Sequence, residues 1–501
     1  MKYNTHVPNR FVEENAFIGA EPEQTALPTF EQVKGILPSP IWQGRSDVVE
    51  CYWRAWQLAM GNLRQPAPGS RFVSNFIDTA FNGCLFMWDS AFILMFARYG
   101  SRAFNFQRTL DNFYALQHPD GFICRENNEA DGEERFERFD PSSTGPNIMG
   151  WCEWEYFNNT GDTERLAKVF APLAAYTQWF RKYRTWPDGS FFASGWGCGM
   201  DNQPRLPAGC HDAWDHGHMA WIDTTCQQIL ADRLLLAMAG VLGRAGELPD
   251  AQRELDALTT LVNETMWDQR QAFYVDRHRD GRLSDVKSIG AYWALLAGAV
   301  PPERESSFIA HLDDPREFRR AHRVPTLSAD HPAFDPAGGY WRGAVWAPTN
   351  YMVLRGLTRT GRDDLAHEIG LNHVNAVVDV FGQTGTVFEN YAPDSATGCC
   401  RRDFVGWTGL PPIAVLFEYV FGLRPDVPGN ALTWDIRLKE AHGVDRYPFG
   451  PEALLDLHCA ARESESQEPR ITAHASHPVT LKVRWSGGER TIELKPSGTP
   501  R

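Results

Sequence analysis

The feature that most constrains the fold is a long series of amphipathic helical patterns that fills most of the 501 residues. Residues 46–63, for example, place Tyr52, Trp56 and Met60 at helical spacing on one face. The predicted helices cover 46–63, 88–99, 102–117, 146–160, 163–183, 221–243, 248–267, 292–300, 345–358, 363–381 and 409–423. Such a series predicts a mainly α-helical fold.

Short glycine-containing segments that favour β-hairpins follow several of these helices. They lie at 117–126, 185–194, 267–277 and 381–390. Their spacing varies over roughly 60–110 residues, which is too irregular for a solenoid of fixed period. Consecutive helical hairpins with loops gathered at one end favour two concentric rings of helices, an (α/α)6 toroid. A helical bundle and an α-solenoid are the alternatives.

The pattern changes at both ends of the chain. Alternating segments typical of strands lie at 431–438, 453–462, 470–476, 479–487 and 490–497. The beginning of the chain is proline-rich and mixed in character. We therefore predict a surface arm over 1–45, the toroid over 46–428 and a small β-rich domain over 429–501.

Charge and composition restrict the partners. The net charge is −14 and no basic stripe is visible, which argues against nucleic acid or an anionic membrane as a partner. No signal peptide or long apolar run is visible, and the ten cysteines form no CxxC pair. We expect free thiols, a cytoplasmic location and no cofactor, and we leave homo-oligomerisation open.

Aromatic residues in polar, glycine-rich stretches point to a carbohydrate ligand. The chain has 18 Trp and 30 Phe. Tryptophans in such stretches are Trp88, Trp196, Trp214, Trp341, Trp346 and Trp407. The C–H-rich face of a pyranose ring suits an aromatic face beside carboxylates, although tryptophan also serves as buried surface.

Polar residues beside these aromatics have two interpretations. Asp89 follows Trp88 at a predicted helix start, where it either caps the helix or binds sugar hydroxyls. Arg125 and Glu126 lie in a charge-rich stretch. The stretch is either a solvated loop, or Arg125 and Glu126 together bind sugar hydroxyls.

Two carboxylates in separate aromatic loops fit the chemistry of glycoside hydrolysis. Asp201 lies in GWGCGMDNQPR, and Glu389 lies in QTGTVFENYAPDSATG. In that reaction one carboxylic acid protonates the leaving oxygen, and the other carboxylate attacks or activates water. An apolar neighbourhood would raise the pKa of the acid, as this role requires.

A cluster of possible metal ligands lies in HDAWDHGH at 211–218. The spacing of its histidines and aspartates matches neither a helical i, i+4 pair nor a zinc finger. We interpret it as a loop of the site or of an interface, and we predict no metal.

Six motifs in a fixed order resemble the clan of trehalases and glycoside hydrolase family 63, and in particular its bacterial α-glucosidase and mannosylglycerate hydrolase type. They are WDS–F (88–92), GF–RE (121–126), SG---GMDN-PR (194–205), YWRG-VW---NY (340–351), ENY-P---TG (389–398) and GWT (406–408). The resemblance covers roughly residues 80–425.

The resemblance implies the toroid, hydrolysis with inversion, and roles for individual residues. Asp201 would be the general acid and Glu389 the general base. The substrate-binding residues that it implies are Trp88, Asp89, Arg125, Glu126, Trp196, Asn202, Trp341, Arg342, Trp346 and Trp407.

The predicted function is an inverting α-glycoside hydrolase that acts on a small soluble glucoside or mannoside. That class includes disaccharides, short oligosaccharides and glyceryl glycosides. The alternatives are another enzyme on the same toroid, such as a lyase, epimerase or phosphorylase, and a non-catalytic sugar-binding protein. Retention of both carboxylates argues against the binding protein.

Overall fold

The predicted helices dominate the computed structural model, which describes residues 7–23, 25–79 and 81–496. The longer α-helices are Ser46–Gly61, Met87–Ala97, Met149–Thr160, Thr163–Tyr183, Ile222–Leu242, Ala251–Thr265, Pro302–Ala310, Ala347–Arg359 and Asp363–Thr384, with short ones at Phe30–Val33, Asp111–Ala115, Gly195–Cys198 and Trp293–Ala297. A π-helix covers Leu410–Val420. The mainly helical fold is confirmed.

Burial divides the helices into two kinds. Every residue of Met87–Ala97 and of Leu410–Val420 is buried, so these helices are surrounded by protein. Ala251–Thr265, in contrast, buries a single apolar stripe.

The fully or largely buried helices contact one another in a closed order. The order is Met87–Ala97, Met149–Thr160, Ile222–Leu242, Trp293–Ala297, Ala347–Arg359, Leu410–Val420 and back to Met87–Ala97. The more exposed helices pack outside them, as Ala251–Thr265 does on Ile222–Leu242 and Asp363–Thr384 on Leu410–Val420.

The predicted helix over 102–117 forms only in part. The segment forms a 3-10 helix at Phe106–Leu110 and a short α-helix at Asp111–Ala115. The short α-helix is held to a neighbouring segment, since Asn112 Oδ1 accepts hydrogen bonds from the backbone N–H groups of Val73 and Ser74 at 2.8 and 2.9 Å.

The strands near the C-terminus build two four-stranded sheets, which confirms the predicted β-rich region. The first contains Ser39–Trp42, His442–Phe449, Ala453–Cys459 and Ile471–Ala475, and the second contains Leu423–Asp426, Ala431–Asp435, Val479–Trp485 and Gly488–Leu494. All neighbouring strands are antiparallel except Ala431–Asp435 and Val479–Trp485.

The N-terminal segment does more than lie on the surface. Ser39–Trp42 pairs with His442–Phe449 in the register Ser39 to Asp445 and forms an edge of the first sheet. The residues of the predicted arm before Val7, and those of the β-rich region after Pro496, lie outside the described residues.

Small two-stranded ladders connect the helices. Cys84–Phe86 pairs with Glu126–Asn128, Trp267–Asp268 with Phe273–Tyr274, and Phe388–Tyr391 with Gly398–Arg402. Each of the ten cysteines is a free thiol. None of the helices in the described ranges combines the length and the apolar character that crossing a bilayer requires.

Candidate active site

A two-stranded ladder brings the first predicted group together. Cys84–Phe86 runs into the helix Met87–Ala97, and it pairs with the strand that starts at Glu126. The Met87 N–H donates to the Arg125 carbonyl at 2.8 Å, which locks the two chain segments at this point. Trp88 and Asp89 therefore lie beside Arg125 and Glu126, although more than 30 residues separate the pairs.

Asp89 does not cap the helix. Phe86 is the N-cap residue and supplies no side-chain hydrogen bond, whereas Asp89 is buried and lines a cavity. Asp89 is therefore a lining residue of this cavity rather than the N-cap of the helix.

Asp201 follows a single helical turn, Gly195–Cys198. Ser194 Oγ accepts a hydrogen bond from the Gly197 N–H at 3.0 Å and caps this turn, which ends at Gly199 in a left-handed conformation with φ of 82°. A β-carbon at Gly199 would lie 2.8 Å from Cε2 of Trp88. Glycine at this position thus lets the Trp88 indole pack directly on the backbone two residues before Asp201.

Arg205 anchors the other end of this loop. Its guanidinium forms two buried ion pairs, to Asp223 at 2.5 Å and to Asp276 at 2.7 Å, and lies 4.3 Å from the ring centroid of Trp221. Asp223 and Trp221 belong to the start of the helix Ile222–Leu242. The loop that carries Asp201 is therefore fixed to one of the buried helices.

Glu389 lies on the strand Phe388–Tyr391, and the GWT motif supports that strand. Trp407 Nε1 donates to the Glu389 carbonyl at 2.8 Å, and Thr408 Oγ1 donates to the Phe388 carbonyl at 2.7 Å. The Arg401 N–H from the paired strand donates to Glu389 Oε2 at 3.3 Å. The carboxylate is thus positioned by rigid elements rather than by a free loop.

These elements enclose a cavity of about 440 Å³. Its lining residues are Phe81, Asn82, Phe86, Trp88, Asp89, Arg125, Glu126, Arg135, Phe136, Trp196, Gly199, Asp201, Tyr340, Trp341, Glu389 and Trp407. Most of the residues singled out from the sequence meet here, including both predicted catalytic carboxylates.

Three of the predicted substrate-binding residues lie behind the wall rather than in the lining. Asn202 accepts a hydrogen bond from the Trp341 N–H at 2.9 Å and donates to the Gly339 carbonyl at 3.1 Å. Arg342 donates to the Asn202 carbonyl at 2.9 Å. Trp346 stacks on Trp341 with ring centroids 3.8 Å apart. All three hold the segment that carries Trp341, because their polar groups and rings are used by the protein itself.

Three acidic groups of the cavity have raised pKa values. Burial raises the pKa of Asp201 to about 6, with the charge of Arg125 opposing the shift and that of Glu389 adding to it. Burial also raises the pKa of Glu389, opposed by the N–H group and the charge of Arg401. The pKa of Asp89 lies well above its usual range because of burial, and Arg125 again opposes the shift.

The sequence did not single out Tyr340, which is the polar residue common to both catalytic candidates. Hydrogen bonding from its side chain lowers the pKa of Asp201 and of Glu389, so its hydroxyl lies near both carboxyls. Its backbone has a φ of 64°, which is strained for a residue other than glycine. The glycines around it in GGYWRG were the available signal.

The cluster at 211–218 forms no metal centre. Within the described ranges, no group of three or more His, Cys, Asp and Glu residues could hold a metal ion. Instead, His211 stacks on Trp214 with ring centroids 3.4 Å apart, and its backbone N–H donates to Asp215 at 2.7 Å. Asp212 pairs with Arg342 at 3.1 Å, so the segment packs beside the cavity.

Buried carboxyls, paired arginines and aromatic walls in the loops of a helical fold define a carbohydrate-active class of protein. Comparison with known proteins identifies the family. The model of the mannosylglycerate hydrolase MGH1-like glycoside hydrolase domain matches residues 84–408, and the chain therefore belongs to this glycoside hydrolase family. The resemblance stated from the six motifs is confirmed.

The chain is similar to several known proteins at low sequence identity. An uncharacterized protein of Borreliella burgdorferi is 23% identical over 71% of this chain and 75% of its own length. A probable mannosyl-oligosaccharide glucosidase of Schizosaccharomyces pombe is 24% identical over 49% of this chain, and mannosylglycerate hydrolase MGH1 of Selaginella moellendorffii is 28% identical over 39%. The aligned part spans 34% and 38% of these two proteins, respectively.

Solved structures show the same fold. The family 63 mannosylglycerate hydrolase of Thermus thermophilus in complex with glucose superposes with a TM-score of 0.59 at 20% identity. The superposition covers 74% of this chain and 100% of that one. A rhamnosidase of Bacillus and the neutral trehalase of Saccharomyces cerevisiae superpose with TM-scores of 0.62 and 0.53 at 14% and 12% identity, over 90% and 68% of this chain and 42% and 73% of theirs.

Proposed function

We propose that this protein is an inverting α-glycoside hydrolase that acts on a small α-linked glucoside or mannoside. The observation that carries the proposal is one cavity in which Asp201 and Glu389 face a shared space between aromatic walls. The two carboxylates come from separate parts of the chain, Asp201 from the loop after Gly195–Cys198 and Glu389 from the strand Phe388–Tyr391, as an acid and a base on opposite sides of a sugar require. Membership of the glycoside hydrolase family supports the reaction class.

Asp201 would act as the general acid. A general acid must hold its proton when the substrate binds, and a pKa of about 6 leaves about half of the group protonated at pH 6 and roughly a tenth at pH 7, against roughly a thousandth at pH 7 for an ordinary aspartate. The cause is burial, to which the charge of Glu389 adds. Protonation of the glycosidic oxygen by Asp201 would release the leaving group as an alcohol.

Glu389 would act as the general base. The charge and the N–H group of Arg401 favour its ionised form, although burial opposes it. The carboxylate would take a proton from a water molecule that attacks the anomeric carbon from the face opposite the leaving group. An inverting enzyme holds its two carboxyl groups roughly 6.5–9.5 Å apart to leave room for this water.

The remaining lining residues would bind the cleaved sugar. Asp89 and Glu126 offer acceptors for hydroxyl groups, and Arg125 holds Glu126 at 3.3 Å while favouring the ionised forms of nearby carboxyls. The indoles of Trp88 and Trp407 supply apolar surface for the C–H face of the ring. Relatives named for mannosylglycerate and for mannosyl-oligosaccharides support a hexose at this position.

The fold supports a more specific architecture. The closed order of contacts among the buried helices, with the other helices outside them, is what an (α/α)6 toroid requires. We propose this toroid for 46–428 and a β-rich domain for 429–501, whose two sheets also include the strands Ser39–Trp42 and Leu423–Asp426. The cytoplasmic location and homo-oligomerisation stay predictions.

Substitution of each carboxylate tests the proposal. Asp201→Asn and Glu389→Gln should each abolish release of sugar while leaving the melting temperature near that of the wild type. Asp256→Asn, on the exposed side of an outer helix, is the matched control and should keep full activity. Full activity in either active-site variant would refute the assigned mechanism.

The anomer formed first distinguishes the reaction classes. The assay uses α-glucosyl and α-mannosyl fluorides and a panel of α-linked disaccharides and glycerate glycosides, followed by proton NMR. Release of the β-anomer supports hydrolysis with inversion. Release of the α-anomer makes Glu389 a nucleophile, and an unsaturated or epimerised product would favour the alternative enzymes.

A further inference from the structure

A second cavity of about 620 Å³ adjoins the one that holds the carboxylates. Phe136 and Trp196 line both cavities and thus form the boundary between them. The remaining lining residues are Asp140, Pro141, Ser142, Cys210, Trp214, Asp215, His216, Gly217 and His218. A group attached to a sugar in the first cavity could therefore extend past Trp196 into this space.

Trp214 forms an open aromatic platform in the second cavity. The residue is 46% exposed, which is unusual for so large an apolar side chain. His211 stacks flat on the indole at 3.4 Å and 3°, and it is absent from the cavity lining among the described residues, so it covers the face turned away. Trp196 meets the indole at an angle of 63° with centroids 5.5 Å apart. The platform is therefore held rigid from behind while one face stays open.

The charge of this cavity is acidic. Asp140 and Asp215 line it, and each carboxylate is fixed by a backbone N–H group, from Ser142 and His211 respectively, at 2.7 Å. Within the described ranges no lysine or arginine belongs to the lining. The two carboxylates suit the donor hydroxyls of a neutral sugar, and they would repel a carboxylate ligand.

Two neighbouring guanidinium groups, those of Arg184 and Arg125, are already used by the protein. Arg184 is buried behind the wall and donates to the Asp140 carbonyl at 2.7 Å and to Ser143 Oγ at 2.8 Å. Arg125 donates to the Ser142 carbonyl at 2.8 Å, and its guanidinium lies 4.5 Å from the ring centroid of Phe136. These arginines therefore hold the wall of the second cavity and belong to no part of its lining.

We infer that the second cavity binds the leaving group, and that this leaving group is a neutral sugar stacked on Trp214 rather than an acid such as glycerate. The inference rests on the proposed hydrolase activity. It distinguishes this chain from the relatives that are named mannosylglycerate hydrolases, since glycerate carries a negative charge. An α-linked disaccharide or oligosaccharide then fits the two cavities together.

The test compares three substrates that share the cleaved sugar: its α-fluoride, its α-glycoside of D-glycerate and its α-linked disaccharides. Fluoride is too small to use the second cavity, so it reports on the carboxylates alone. The wild-type enzyme should show a higher kcat/KM for a disaccharide than for the glycerate glycoside. A preference for the glycerate glycoside would overturn the inference and leave the proposed hydrolase intact.

Trp214→Ala should lower kcat/KM for the disaccharide about tenfold and change hydrolysis of the fluoride by less than about twofold. Phe139→Ala is the matched control, because Phe139 is 50% exposed in the same region and lies outside the cavity lining among the described residues. It should behave like the wild type. If Trp214→Ala lowered kcat/KM for the fluoride and for the disaccharide by the same factor, Trp214 would not bind the leaving group.

Asp215→Lys gives a readout that misfolding cannot imitate. Reversal of this charge should raise kcat/KM for the glycerate glycoside while lowering it for the disaccharide. A lower kcat/KM for both the glycerate glycoside and the disaccharide, with the fluoride still hydrolysed, counts against the inference. Failure of the wild type to hydrolyse any of the substrates, the fluoride included, would instead overturn the proposed function on which it rests.

Discussion

Replacement of Gly199 by alanine tests how tightly the loop of Asp201 is fitted to the Trp88 indole. A β-carbon there would lie 2.8 Å from Cε2 of Trp88, whereas ordinary contacts begin at 3.4 Å. One of the two must move by about 0.6 Å, the difference between these distances. Trp88 is buried and makes an edge contact with Phe92 at 4.9 Å, so the strain falls largely on the loop that carries Asp201.

The magnitude follows from two costs. Alanine with a φ of 82° costs about 1–2 kcal/mol relative to its preferred conformations. Overpacking against a buried ring adds about 1–3 kcal/mol. Since a misplacement of about 1 Å at a catalytic site can cost about a hundredfold in rate, we expect kcat of Gly199→Ala to fall at least about tenfold.

The matched control is Gly243→Ala. Gly243 also ends a helix in the left-handed conformation, with a φ of 68°, but no atom of the described residues would lie within 4 Å of its β-carbon. This variant should lose about 1–2 kcal/mol of stability and keep its kcat. The two variants are compared by thermal unfolding and by steady-state kinetics. A Gly199→Ala enzyme with wild-type kcat and no greater loss of stability than Gly243→Ala would refute the steric reasoning.

Further predictions concern pH and positioning. Tyr340→Phe removes hydrogen bonds that lower the pKa of both Asp201 and Glu389, so both limbs of the pH–kcat profile should move to higher pH, and an unmoved profile would contradict the placement of the hydroxyl. Asn202→Ala removes two partly buried hydrogen bonds and should lower the free energy of unfolding by about 1 kcal/mol and also lower kcat; unchanged kinetics would show that Asn202 does not position the wall. Burial lowers the pKa of His322 to about 3, so below about pH 6.5 the unfolded state binds a proton that the folded state does not. Between pH 6.5 and pH 5 the free energy of unfolding of the wild type should therefore fall by about 2 kcal/mol more than that of His322→Phe. Equal pH dependence of unfolding in the two proteins would contradict this.

The sequence predicts the helices well where their patterns are long and apolar. Thr163–Tyr183 and Ile222–Leu242 lie within one residue of their predicted bounds. The segment 102–117 shows the limit, because it divides into a 3-10 helix and a short α-helix whose side chains bind a segment about 40 residues away in the chain. Ser39–Trp42 was missed for a similar reason, since its partner strand lies about 400 residues further on.

The sequence predicts the residue types of the site, but it does not predict which residues line the cavity and which support the lining. The motif YWRGAVW predicts Trp341 and Trp346 equally as lining residues, yet Trp341 lines the cavity and Trp346 stacks behind it. Tyr340 was overlooked because its place near both carboxyls depends on a positive φ that no side-chain pattern records. Motifs identify such groups, and only the packing assigns a lining or a supporting position to each.

The pairing of Ser39–Trp42 with His442–Phe449 has a consequence for synthesis on the ribosome. The early strand emerges first, but its partner follows only after all of the helices have been made. At about 5–20 residues per second, the early strand waits on the order of 20–80 s with its edge unpaired. During this interval the exposed edge is open to pairing with other nascent chains, so the yield of active protein should depend on the rate of translation and on chaperones that cover such edges.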